Sequence, residues 1–210
     1  MSDILLDVQS VAPTPAAGQA VIAVNTTTKR LQVVDADGFK RTMGFVNFSA
    51  IAQVVAASAS RVYIAGSNIA IPAGALQIGT MFRWTLNMSK GSAGSTAMTY
   101  DIAFGTAGTT ADTARVSMAL PSTGSAVADQ GSVTITAIHR GPVGASGVVV
   151  GHLEMTHNLA STGLAGIPAV SVNTVSSAFD VTTPTNIGLC FTTGDQEITF
   201  QIVTAEAYNV

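Results

Sequence analysis

Charge is what this 210-residue sequence lacks most. Only 10% of it is Asp, Glu, Lys or Arg, against about a quarter in an ordinary soluble domain. Nine basic and twelve acidic residues leave a net charge of −3, and the bases cluster no further than the pairs Lys29-Arg30 and Lys40-Arg41. A nucleic-acid partner needs a concentrated cationic face, so none is expected. Aromatic residues make up 6%, with a single Trp. Trp84 sits within an apolar alternation and reads as a core anchor, and so few aromatics equip the chain poorly for stacking on carbohydrate. The one cysteine, Cys190, excludes an internal disulfide. It lies in an alternating apolar run and reads as a buried thiol. No apolar run reaches the length of about 18 residues that a membrane helix needs, so no membrane partner is expected. The opening MSDILLDVQSVAP has two acids and no long apolar stretch. That is not a secretory signal, and synthesis in a cytoplasm is expected.

Catalytic signatures are missing too. There is no G-x-S-x-G, Walker loop, G-x-G-x-x-G, C-x-x-C or H-E-x-x-H. No enzyme activity, cofactor or metal is expected. The most suggestive cluster is His152-Leu-Glu154-Met-Thr-His157. On a strand, His152 and Glu154 share one face and His157 takes the other, so the two imidazoles do not converge on one metal. A His-x-Glu pair resembles part of the zinc-deaminase signature, but the P-C-x-x-C partner is missing. The cluster reads instead as a solvated or interfacial His152–Glu154 pair with a hydrogen-bonded His157 at the core edge. Twelve scattered acids give no sign of the carboxylate pair a polysaccharide hydrolase needs.

Ala, Gly, Ser, Thr and Val fill the place of the missing charge. Such a surface is cheap to desolvate and reads as one that faces other protein chains. The alternative is a weakly charged monomer, which associates nonspecifically. Residues 1–18 read as an extended arm, because Pro13, Pro15 and Gly18 disfavour regular structure. Three short runs follow, at 20–24, 30–34 and 39–43. The turn signal Asp35-Ala-Asp-Gly38 makes them a small β-meander. Residues 45–62 place Phe48, Ile51, Ala52, Val55 and Ala59 at helical spacing. Their β-branched residues and serines leave a strand nearly as well supported. Residues 63–79 read as a strand or connector.

From Gly79 onward the period is two. Phe82, Trp84, Leu86 and Met88 oppose Arg83, Thr85 and Asn87. Similar alternation marks runs around 98–104, 114–120, 133–137, 146–157, 176–181, 187–192 and 197–205. Eight antiparallel strands in two sheets are the count of a jelly roll. The expected architecture is therefore all-β. An arm and meander over 1–44 act in docking, a connector covers 45–78 with at most one short helix, and an eight-stranded antiparallel jelly-roll sandwich covers 79–210. With charge so scarce, the candidate interface residues are Lys29, Arg30, Lys40, Arg41, Asp101, Arg115, His152 and Glu154.

Several segments carry a resemblance. Arg61-Val-Tyr-Ile-Ala-Gly-Ser-Asn-Ile-Ala-Ile-Pro72, Leu76-Gln-Ile-Gly-Thr80-Met-Phe-Arg83 and Tyr100-Asp-Ile-Ala-Phe-Gly-Thr-Ala-Gly-Thr-Thr-Ala-Asp112-Thr-Ala-Arg115 are similar to segments of tailed-bacteriophage virion proteins of jelly-roll type. Asn25-Thr-Thr-Thr-Lys-Arg-Leu-Gln-Val-Val-Asp-Ala-Asp-Gly38 resembles a short module of phage structural proteins. The resemblance spans about 20–43 and 61–207. It implies a virion role as a head decoration or cement protein, a head fibre or a tail component. It also implies a homo-oligomer, typically a trimer, with no catalytic residues. The leading expectation is a cement protein on the capsid surface that docks on the major capsid protein or another virion protein. The alternative is a tail or head-fibre protein with a host-receptor-binding sandwich tip. Bland loops such as 105–110 favour the cementing role.

Overall fold

The computed structural model describes residues 8–9, 21–25, 31–34, 40–42, 44–71, 73–122, 125–183 and 185–208. Among these residues there are sixteen strands and no helix, so no helix is long and apolar enough to cross a membrane. β1 (Val8–Gln9), β2 (Val21–Asn25), β3 (Leu31–Val34) and β4 (Lys40–Thr42) form one sheet in that order. β2, β3 and β4 are the expected antiparallel meander. Within the expected arm, β1 adds to β2 in parallel. Pro13, Pro15 and the 35–38 turn lie outside the described residues.

The remaining strands build a two-layer antiparallel sandwich. They are β5 (Gly44–Ser49), β6 (Gln53–Val55), β7 (Val62–Tyr63), β8 (Ile69–Ile71), β9 (Met81–Lys90), β10 (Thr99–Gly105), β11 (Thr113–Ala119), β12 (Asp129–His139), β13 (Val149–His157), β14 (Ala169–Val175), β15 (Thr185–Thr192) and β16 (Ile198–Tyr208). The larger sheet runs β14-β13-β12-β9-β16-β5, with β6 also on β16. The smaller runs β11-β10-β15-β7, with β8 also on β15.

Alternation explains the layering. Along β9, Phe82, Trp84, Leu86 and Met88 are buried while Arg83 and Asn87 are exposed. Burying every second side chain on one face fixes the register, because a slip of one residue turns the apolar set to water. Between the layers, the Tyr100 ring lies 4.6 Å from Phe191 and 6.4 Å from Phe200. The Tyr100 hydroxyl donates to the Met88 sulfur across the layers at 3.2 Å. Trp84 is fully buried, as expected, and its indole N–H donates to the Ser67 carbonyl at 2.7 Å. β9 pairs with β16 in one sheet and β10 with β15 in the other. The links from β9 to β10 and from β15 to β16 cross between the sheets side by side, which is a jelly-roll-like nesting.

Three details differ from the sequence expectation. The 45–62 segment forms β5 and β6 rather than a helix. Phe48 and Val54 then turn outward while Gln53 and Ser49 face the β16 residues Phe200 and Val203. An unpaired β16 edge offers a whole ladder of hydrogen bonds, which outweighs the weak helix propensity of β-branched residues. The run at 176–181 makes only an isolated bridge, Gly147 to Phe179. Strand β14 lies just before it, at Ala169–Val175, as a largely exposed edge whose apolar face is thin. The eight strands from residue 81 onward divide five and three between the sheets, and β7 and β8 from the connector make the smaller sheet up to five.

Candidate functional site

The outer face of the larger sheet is a regular polar surface. Register sets its rows. Glu206, Arg83, Thr136, His152 and Asn173 lie side by side across β16, β9, β12, β13 and β14. The next row is Thr204, Thr85, Thr134, Glu154 and Ser171, and the next begins Ile202, Asn87, Ser132 and Thr156. Most members carry a hydroxyl or an amide without charge. The titratable members lie in pairs. Arg83 Nε lies 2.9 Å from Glu206, which also accepts from the Tyr208 hydroxyl at 3.0 Å. His152 Nε2 lies 3.1 Å from Glu154, and its Nδ1 is 2.7 Å from Asn173. Both His152 and Glu154 reach solvent, as the shared-face argument expects.

At one end of this face lies an open groove of about 480 Å3. Asn87, Ser89, Gln130 and Ser132 line it from β9 and β12, with Thr156 and Gln201 from the flanking strands. A second depression of about 300 Å3 shares Ser89, Gln130 and Asn158 with the first.

The groove's foundation is a buried charged cluster. His157 and Asp129 have fully buried side chains and meet at 2.6 Å. The other ring nitrogen of His157 lies 2.6 Å from the Ile167 carbonyl. The ring thus bridges the Asp129 carboxyl and the Ile167 carbonyl. Asp129 also accepts from the Leu164 and Gln130 amides at 3.0 and 2.8 Å. Burial pushes its carboxyl up, but those amides and the His157 ring outweigh that and hold it below the usual carboxylate range. Lys90 is buried alongside and donates to the carbonyls of Gly163 and Ser125. Burial lowers its pKa, with Asp195 and Asp129 opposing. The positive φ of Gly163, +86°, brings its Cα against Asp129, where a β-carbon would collide with the carboxylate. Asp129 and His157 bind each other and Lys90 binds backbone carbonyls, so the cluster pins the 158–168 loop.

The second polar cluster lies on the outer face of the smaller sheet. Arg61 Nε is 3.0 Å from Asp101, and one terminal nitrogen is 3.2 Å from the Cys190 sulfur. Its guanidinium also donates to the Asp112 carbonyl at 3.3 Å. Ser117 donates a short hydrogen bond to Asp101. Cys190 is buried, as expected, and burial raises its thiol pKa while Arg61 opposes that. A protonated thiol under an arginine is a poor nucleophile. Tyr63 lies directly over Gly188, and burial pushes its phenol far up. Arg61 and Tyr63 thus explain why β10 and β15 are buried on both faces.

The candidate interface residues therefore separate. Asp101 is committed within the chain to Arg61 and Ser117. Arg115 lies over the Phe179 ring at 5.4 Å, where it covers the core edge. His152 and Glu154 share the larger sheet's outer face. Lys40 and Arg41 belong to β4, and Lys29 and Arg30 lie outside the described residues. Sequence reasoning missed Arg61, whose partners are 40 and 129 residues away. It also missed the amides of Gln130 and Asn158, which read as loop residues. Among the described residues no group of His, Cys, Asp and Glu could hold a metal ion.

A further surface is apolar. Phe48 and Val54 face outward beside Thr204 and Thr199 of β16, and Ile202 points out at the β-bulge between them. Ile51 caps the bend from β5 to β6 and is 80% exposed, with Val54 at 64% and Phe48 at 57%. Together they make an apolar strip along one edge of an otherwise polar face.

No family model and no curated protein matches this sequence. Among solved structures, the CBM2 module of the evolved Dit of Lactobacillus casei phage J-1 is similar at 15% identity. The match covers 68% of this chain and 69% of that one, with a TM-score of 0.31. Lectin I from Ulex europaeus, solved with the methyl glycoside of α-L-fucose, is similar at 10% identity. That match covers 80% of this chain and 97% of that one, with a TM-score of 0.33. At such scores the likeness adds nothing to the sandwich that the sheets themselves define.

Proposed function

We propose that this chain is a non-enzymatic structural protein of a bacteriophage particle, a decoration or cement protein of the head. It docks on the major capsid protein and meets copies of itself, as a trimer, through its charge-poor surface. The observation that carries the reading is the strip of Phe48, Ile51, Val54 and Ile202. Four large apolar side chains exposed together on one sheet edge are the mark of a surface that another protein covers. The strip runs over β5, the bend at Ile51, β6 and the neighbouring β16, and β5 follows directly on the meander to which a docking role is assigned. Asp129 is bound to His157 and Asp101 to Arg61, so neither carboxylate is aimed into a cleft.

Purified protein added to undecorated heads tests this. The wild-type chain is expected to sediment with the heads. Ile51→Asp/Val54→Asp alters only exposed positions, and should weaken that binding at least about tenfold, as loss of a packed anchor does. Failure of the wild type to bind, or full binding by the double variant, overturns the proposal.

A further inference from the structure

The polar groove on β9, β12, β13 and β16 has no part in the docking reading, and we infer that it is a binding site for an uncharged glycan chain. The argument rests on which hydrogen-bonding groups the groove offers and which it withholds. Asn87 and Gln130 are exposed on neighbouring strands, and Asn158 follows at the end of β13. Among the described residues their side-chain amides make no hydrogen bond within the chain. Each therefore offers an N–H donor and a carbonyl acceptor together. Ser89, Ser132 and Thr156 add hydroxyls between them, with Gln201 donating to Ser89 at 3.1 Å and Ser132 lying 3.3 Å from Thr156. Paired donors and acceptors on a fixed lattice are what the hydroxyls of a sugar, each a donor and an acceptor, are built to meet.

What the groove withholds excludes other ligands. His157 lines the groove, and Lys90 and Asp129 line the adjoining depression, but their polar atoms are turned onto partners within the chain. His157 turns its ring down onto Asp129 and the Ile167 carbonyl, and Lys90 spends its ammonium on Gly163 and Ser125. An anionic polymer or nucleic acid would find no cation that is not already held by the chain. A protein segment would look for an apolar anchor, but Met88, the lining's one large apolar residue, is only 2% exposed. The volume of about 480 Å3 falls within the range of small-ligand sites. Its continuation into the second depression, through Ser89, Gln130 and Asn158, suits several linked units better than one. The scarcity of aromatics sets the strength. Without a stacking platform, exposed hydrogen bonds each contribute little net affinity. One site should bind in about the millimolar range, and only an array of copies would hold a surface through avidity.

The test uses the purified full chain and saturation-transfer NMR with neutral oligosaccharides of glucose, galactose, mannose and N-acetylglucosamine. Polygalacturonate and an unstructured peptide serve as comparison probes. Transfer to at least one neutral oligosaccharide is expected. Asn87→Ala and Gln130→Ala should each abolish it, with an unchanged melting temperature because both positions are exposed. Ile51→Asp/Val54→Asp should leave it intact, which separates this site from the docking strip. No transfer to any neutral sugar, equal transfer to the anionic polymer or the peptide, or binding that survives both groove variants overturns the inference.

Discussion

Asp129 and His157 show how much a single buried pair can carry. The carboxylate joins the start of β12, the end of β13 and the Leu164 amide, and the His157 ring carries the connection on to the Ile167 carbonyl. Asp129→Asn keeps the shape but removes the carboxylate that the His157 ring and the Leu164 and Gln130 amides share. Breaking a buried pair in this way costs about 3 kcal/mol, to be read as a lower urea midpoint at an unchanged slope. The sign of the pH effect follows from the lowered carboxyl pKa. Below its ordinary value of about 3.9, the unfolded chain takes up this proton before the folded chain does. The stabilisation is therefore complete above that pH and fades as pH falls through the lower folded value. Acid titration of Asp129→Asn should lack that component. The alternation of β13 made His157 legible as a core-edge residue. Asp129 was not legible, because it follows a loop and its partners come from a different strand and a distant turn.

The element scale turns on the segment between the meander and residue 79. β5 and β6 pair with β16, and β7 and β8 pair with β15. Each therefore covers an edge that would otherwise expose unpaired N–H and C=O groups. Arg61 strengthens the link, since Asp101, Cys190 and the Asp112 carbonyl all bind it. A chain that begins at Gly79 should consequently lose its cooperative thermal transition and aggregate, while one that begins at Gly44 keeps it. Calorimetry on the two chains decides the point, and a sharp transition in the shorter one would refute the role given to these strands. The eight downstream runs could be read from their alternation because each buries one face. The connector strands could not. β7 and β8 are two and three residues long, too short to show a period, and 45–62 carries apolar residues on both faces because one face is the exposed strip. β14 was missed for the same reason, having little apolar face to reveal it.

At the scale of the whole molecule, low charge and a two-sheet sandwich combine into a particle that presents different chemistry on different surfaces. One edge is apolar, the larger sheet's outer face is neutral and hydrogen-bonding, and the smaller sheet's outer face is closed by Arg61 and Tyr63. The all-β class was legible in the sequence, since alternation is local. The separation of surfaces was not, because it depends on which strands become neighbours. Phe48 and Ile51 share one apolar face with Val55 at helical spacing, but in β5, β6 and the bend between them Phe48 and Ile51 turn outward while Val55 is buried. The proposed role places many copies of this chain on a phage head, docked through that strip. Images of phage particles with this protein labelled test the claim most directly. The account predicts label in a regular array over the capsid surface. Label confined to the tail, or particles that carry none, would contradict it.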